Sequence, residues 1–200
     1  VEHLGLLSLA ALLAREITIG LLLGFLSRMV FYAADIAGLI ISTELGLNMG
    51  MIMDPASRQP EQIPGLLLSL LSIVTMLTLD LHHGLLLGFA RTFDVLPIGS
   101  GQLSPTLFEN VVHHTAQIFV VALQIAAPVM AVSFVITVFF AIMARAVPQM
   151  NVFSESFGIR IAGGLIVFGF TLHIAAQYVA NYLHRLPDDL LSFGKILNGV

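Results

Sequence analysis

Charged residues interrupt the first long apolar stretch of the chain, and this feature limits what the chain can fold into. The stretch is rich in Leu, Ile, Ala and Gly, yet it contains Arg15, Glu16, Arg28, Asp35 and Glu44. A lone charge at the centre of a lipid bilayer costs about 3 kcal/mol on insertion scales, so such residues usually face protein or a water-filled path. The sequence therefore predicts that this stretch packs against other protein and not against lipid.

The composition places the chain in or beside a membrane. Of its 200 residues, 58% are hydrophobic and 10% are charged, whereas soluble proteins have roughly 45–50% apolar and 25% charged residues. A net charge of −4 without clustered Lys and Arg argues against nucleic acid as a partner. The chain has no cysteine, which excludes disulfides and thiolate sites. It opens without Met, and we expect that some N-terminal sequence is missing.

Apolar runs separated by Gly- and Pro-rich segments predict an all-α, membrane-associated protein built of helical hairpins. Ser104 is the expected N-cap of one helix and Pro105 its first residue. The predicted helical runs are Ile17–Phe31 with its extension Ala33–Ser42, Ile63–Leu79, Leu85–Ala90, Ala116–Ala144 and Ile161–Ala176, followed by an amphipathic tail with Arg185, Asp188, Asp189 and Lys195. The predicted connections are Gly46–Pro64, Leu96–Pro105 and Arg145–Arg160.

Polar and small residues within the predicted helices indicate contacts between helices. Arg28 and Asp35 lie on one face, two turns and about 10.5 Å apart, so we expect each to have its own partner, with Glu44 or a neighbouring subunit among the candidates. Glycines let helix backbones approach each other closely. The glycines in such positions are Gly20, Gly24, Gly163, Gly164 and Gly169.

The histidines do not predict a metal or catalytic site. His82–His83 and His113–His114 are neighbours in sequence, and adjacent helical residues point about 100° apart, so neither pair is expected to share an ion. A proton relay between Asp80 and His82 is the sharper alternative to plain helix-end histidines. Neither a G-x-S-x-G nor an H-E-x-x-H pattern is present, so no enzymatic activity and no cofactor are predicted.

Three methionines alternate along the predicted loop Gly46–Pro64. Met49, Met51 and Met53 precede Asp54 and Pro55. Methionine is flexible and polarizable, so several of them on one loop can close a narrow opening without a unique fit. Ordinary packing under a loop explains the same pattern, and the residues alone do not decide between the two interpretations.

Three ordered motifs together resemble the FliR/SctT family of flagellar and type III secretion export-gate proteins, and the likeness is closer to the flagellar branch. The most distinctive motif runs from Ala144 to Phe153. The others are Asp54–Ser57 and Thr92–Phe93 followed by Leu96–Gly99, and a further likeness begins at Glu16. Two departures stand out: Ser156–Gly158 replaces a Gly-Phe-Pro that is common in the family, and the family's first hydrophobic helix is absent.

The resemblance implies a function that the residues alone do not give. It implies one subunit domain over residues 1–200, packed in a larger helical assembly of the bacterial inner membrane and the flagellar basal body, through which unfolded export substrates pass. The implied partners are FliP-like and FliQ-like subunits, with FlhB-like and FlhA-like subunits beside them. The implied gating loop contains Met49, Met51, Met53, Asp54, Pro55 and Pro60, and the implied structural motif contains Arg145, Pro148, Gln149, Asn151 and Phe153.

Two other classes remain open from the residues. A standalone membrane transporter would use Arg28, Asp35 and Glu44 as a charged site at the midplane, and it would show two related halves with broken helices. The sequence shows no such halves. An intramembrane enzyme would need convergent acid, base and nucleophile groups, for which the scattered histidines supply only part.

Overall fold

The computed structural model describes residues 5–48, 63–101, 104–147, 149 and 151–198. All regular secondary structure within these residues is helical, which confirms the all-α prediction. The helices are α1 (Leu6–Glu44), α2 (Ile63–Thr78), α3 (Leu81–Val95), α4 (Pro105–Ala146) and α5 (Val152–Asn198).

Three of these helices are unusually long. Helix α1 has 39 residues, α4 has 42 and α5 has 47, so their lengths are roughly 60–70 Å at 1.5 Å per residue. By length and composition, these three helices are suited to crossing a membrane, and the bent pair of α2 and α3 counts as a fourth if it forms one span. Pro128 and Pro187 lie inside α4 and α5 without ending them.

The helix ends confirm some predicted boundaries and correct others. Leu107 N donates to Ser104 Oγ at 3.2 Å and α4 begins at Pro105, so the predicted N-cap is confirmed. The predicted connection Arg145–Arg160 is too long, because α4 continues to Ala146 and α5 already begins at Val152. Arg145 lies in the last turn of α4, where a cation interacts favourably with the helix dipole. It is therefore part of the helix and not of the connection.

The first of two compact units contains the described residues within Val1–Val30, Met76–Ile118 and Ala180–Val200. Its C-terminal part is amphipathic, as predicted. Leu186, Leu190, Phe193 and Leu197 are buried at the helical spacings that place residues on one face. Of the predicted polar face, Arg185, Asp188 and Lys195 are exposed and Asp189 is half-buried.

The second unit contains the described residues within Phe31–Thr75 and Phe119–Val179. Its core is drawn from α1, α2, α4 and α5. The core residues are Ala34, Ala37, Ile41, Leu45, Leu68, Ala122, Ile125, Ala126, Val129, Phe168 and Ala175. Five of these eleven are alanines, which indicates close packing between the helices.

Candidate functional site

Two adjacent charges on α1 bind the loop that connects α3 to α4. Arg15 Nη2 donates to the carbonyl oxygen of Gly99 at 3.0 Å, and Gly99 N donates to Glu16 Oε1 at 2.8 Å. Gly99 has φ +87°, a backbone conformation that suits glycine. Both backbone groups of one loop residue are thus satisfied by neighbouring side chains, and this explains two of the five charges in the apolar stretch.

The same loop approaches α1 at a second point. A side chain at Gly101 would meet Ile19 Cδ1 at 2.5 Å, so only glycine fits there without a shift of its neighbour. Gly101 and Ile19 are both buried. The loop around Leu96–Gly99 and the segment around Glu16, which each carry part of the family likeness, therefore lie against each other.

We predict that Glu16→Ala destabilises the first unit by about 1–3 kcal/mol, because a hydrogen bond to a charged group is lost and Gly99 N keeps no acceptor. The measurement is thermal unfolding of the purified protein, together with protease cleavage in the loop at residues 96–104. Glu109→Ala removes an exposed carboxylate from α4 and serves as the matched control. Equal stability of Glu16→Ala and wild type would contradict the assigned contact.

Asp35 contacts α2 in the second unit. Ser69 Oγ donates to Asp35 Oδ1 at 2.6 Å. One helical turn further along α1, a Cβ atom at Gly38 would overlap the backbone of Gly65, and it would lie 3.2 Å from the carbonyl carbon of Pro64. The hydrogen bond and the glycine contact together hold α1 and α2 at backbone-to-backbone distance.

Glu44 and Arg28 are the other two residues that were predicted to make polar contacts. The carbonyl oxygen of Glu44 accepts a hydrogen bond from Ser133 Oγ at 3.5 Å, and its side chain is half-buried. Arg28 and Asp35 are exposed in the single chain. That neighbouring subunits bury these three side chains stays a prediction.

We predict that Asp35→Ala lowers the stability of the folded chain by about 0.5–1.5 kcal/mol, the usual net contribution of one hydrogen bond. A double-mutant cycle with Ser69→Ala isolates this contact. If a neighbouring subunit also buries Asp35, the yield of assembled complex falls further than chain stability does. Asp94→Ala, at an exposed position on α3, is the control; additive effects of Asp35→Ala and Ser69→Ala would refute the pairing.

The predicted structural motif lies at the junction of α4 and α5. Asn151 Oδ1 accepts a hydrogen bond from Ser154 N at 3.3 Å, so Asn151 caps α5. Gln149 and Arg145 are exposed, and Arg145 lines a groove of about 590 Å³ with Val138, Ala141, Ile142 and Ala146. Pro148 and the side chain of Phe153 lie outside the described residues.

Arg160 has a role that the sequence did not indicate. It was predicted to end a loop, but it lies inside α5, and its Nη2 donates to Thr137 Oγ1 on α4 at 3.0 Å. The two residues are 23 positions apart in sequence. The residues near Arg160 in sequence therefore gave no indication of this contact.

The predicted gating residues Met49, Met51, Met53, Asp54, Pro55 and Pro60 lie outside the described residues. The described residues before them end at Asn48 and include Leu45, which is buried in the core, and Gly46 at φ +72°. It resumes at Ile63 with α2. The described residues on both sides of this segment thus belong to the second unit.

The fold and these contacts define a class: an all-α protein with long apolar helices suited to a membrane, whose few charged helix residues bind loops and neighbouring helices. A comparison with known families is more specific. The profile of "Bacterial export proteins, family 1" matches residues 2–186. The chain therefore belongs to this family.

Three individual proteins similar to this chain carry the same name. Proteins named "Flagellar biosynthetic protein FliR" from Bacillus subtilis (strain 168) and Escherichia coli (strain K12) are 29% and 26% identical over 84% and 90% of this chain. A protein of the same name from Pectobacterium carotovorum is 28% identical over 90% of it. The chain spans 66%, 70% and 69% of these three relatives, or about two thirds of their length.

Proposed function

We propose that this chain is a core subunit of a flagellar type III protein export gate and forms part of the conduit for unfolded export substrates. The carrying observation is the family match over residues 2–186, supported by relatives that are named as flagellar biosynthetic proteins. The proposed location is the bacterial inner membrane at the flagellar basal body. We propose that the protein acts without catalysis and that residues 1–200 form one subunit domain of it.

The proposed partners are FliP-like and FliQ-like subunits, with FlhB-like and FlhA-like subunits as further neighbours. Helix surfaces of the described chain offer positions for such contacts. A Cβ atom at Gly20, Gly24 or Gly169 would meet nothing within 4 Å, so these glycines do not serve close packing inside the described chain. Small residues on an open helix face let a second helix approach closely.

The test is genetic complementation in the native host after deletion of its own gene for this protein. The full-length protein that contains this chain should restore swimming and the secretion of flagellar proteins into the medium. It should co-purify from membranes with FliP-like and FliQ-like proteins. Restored assembly without secretion would indicate that the protein is a scaffold and not part of the conduit. Absence of both partners from the purified material would refute the proposal.

Within this function, the segment that contains Met49, Met51 and Met53 is proposed to close the conduit when no substrate is present. We predict that replacing all three by Gly raises small-ion leakage of the assembled gate several-fold, because flexible apolar side chains no longer fill the opening. Conductance of reconstituted gates measures this. Replacement of Met130 and Met143 on α4 by Leu is the control, and unchanged conductance of the Gly variant would favour ordinary packing.

A further inference from the structure

Three potential metal ligands meet at the start of α3. Asp80, His82 and His83 each offer one ligand atom, and these atoms all lie within 4.8 Å of one another. His83 Nδ1 lies 3.8 Å from Asp80 Oδ1, and the rings of His82 and His83 have their centroids 4.1 Å apart. The divergence of adjacent helical residues, which argued against a shared ion, does not keep these two rings apart.

The carboxylate of Asp80 is not used by the helix that it precedes. Asp80 is the N-cap of α3, but it has φ 54° and ψ 21° and makes no side-chain capping hydrogen bond. An N-cap Asp normally accepts a hydrogen bond from a backbone N–H of the first turn. Asp is one of the few residues with a Cβ that adopt the left-handed conformation often. In this conformation the carboxylate of Asp80 lies near His83 and is not used to cap the helix.

His82 carries a ring nitrogen without a partner. Its Nδ1 is shielded from solvent, and no group in the described part of the chain hydrogen-bonds to it. A shielded polar atom without a partner costs about 1–3 kcal/mol. Neutral imidazole is the commonest metal ligand in proteins, and the described chain leaves this ring without a hydrogen bond at Nδ1.

We propose that Asp80, His82 and His83 bind a divalent transition-metal ion and that Zn²⁺ fits best. Two imidazole nitrogens and one carboxylate oxygen form a donor set of zinc, with ligand distances of about 2.0–2.2 Å. Magnesium and calcium prefer oxygen ligands throughout. Three protein ligands leave a fourth position for water. The ion would tie the cap residue to the first turn of α3 and hold Asp80 in its left-handed conformation.

The test uses the full-length protein with a tag that contains no histidine, purified in nanodiscs with the membrane proteins that accompany it. Zn²⁺ binding is measured by competition with a chromophoric chelator, and Co²⁺ is added as a spectroscopic probe. The expected result is a Zn²⁺ site whose affinity falls when residues of this cluster are replaced. Co²⁺ bound at the same site should show the absorption bands of four-coordinate geometry.

The variants identify the ligands. His83→Gln and Asp80→Asn should each weaken Zn²⁺ binding at least about tenfold, since even second-shell partners contribute 10–100-fold to metal affinity. Asparagine tolerates the left-handed conformation, so Asp80→Asn keeps the backbone and removes only the charge.

His113→Gln is the matched control. The rings of the neighbouring pair His113–His114 are 6.0 Å apart, and His113 is not part of the cluster, so this variant should bind as wild type does. The proposal is overturned if wild type binds no Zn²⁺ under these conditions, if His83→Gln and Asp80→Asn bind with unchanged affinity, or if His113→Gln loses the same site. A contact between His83 and Asp80 that binds no metal would give the first of these results.

Discussion

Gly38→Ala should prevent stable packing of α1 against α2 and should lower the amount of folded protein more than any other single substitution considered above. A Cβ atom at position 38 would overlap backbone atoms of Gly65, and backbone atoms cannot rotate away as a side-chain end can. The two helices would have to separate. Overpacking of a core costs about 1–3 kcal/mol and occasionally more, and a backbone clash belongs at the upper end of that range.

The measurement is the fraction of membrane-inserted chain that resists protease, together with thermal unfolding of the purified material. Gly24→Ala lies on the same helix, and its Cβ would meet nothing within 4 Å. In the chain without partner subunits, this control should stabilise the fold slightly, by up to about 1 kcal/mol, because Ala is the better helix former. Opposite signs for two identical substitutions in one helix would be hard to obtain unless the helix contact is as described.

Gly164→Ala gives an intermediate case. Its Cβ would overlap the end of the Leu45 side chain, and such a flexible group can move at lower cost than a backbone. The expected order of stability is Gly24→Ala above wild type, then Gly164→Ala, then Gly38→Ala. A Gly38→Ala protein as stable as wild type would contradict the close approach of α1 and α2.

The sequence predicted these helices well because their signals are local. An apolar run without charges predicted α2, the mixture of apolar and charged residues predicted the amphipathic end of α5, and Ser104 with Pro105 predicted the start of α4. The junction at Asn151 was misplaced because charged Arg145 and Arg160 suggested a loop. Both arginines instead lie on helices, one in a last turn and one bonded to Thr137.

Contacts between residues far apart in sequence were not predictable in the same way. The charges Arg15 and Glu16 were expected to face protein, but nothing near them in sequence indicates Gly99, which lies more than eighty residues away. Gly20 and Gly24 were among the glycines expected at helix contacts, yet a Cβ atom at either position would meet nothing within 4 Å among the described residues, whereas Gly38 lies against Gly65. A glycine pattern shows where a close approach is allowed, whereas only the fold shows which of the allowed approaches occurs.

The exposed apolar surface of α4 leads to the last prediction. Phe108, Phe119, Phe134, Phe139 and Ile142 are between 55% and 71% exposed. Their positions extend over about 50 Å of helix at 1.5 Å per residue, whereas the hydrocarbon core of a bilayer is about 30 Å thick. Lipid around an upright helix would cover only part of this surface, so we expect other subunits to cover the rest.

The protein expressed without partners should therefore aggregate in detergent or be degraded, because large apolar patches drive association. Co-expression with its FliP-like partner should move most of it into a monodisperse, protease-resistant complex, as measured by size-exclusion chromatography with limited proteolysis. An unrelated membrane protein of similar size, expressed at the same level, should give no rescue. A monodisperse monomer that resists protease and transports a solute by itself would instead support a standalone transporter, with Arg28, Asp35 and Glu44 as the first residues to test.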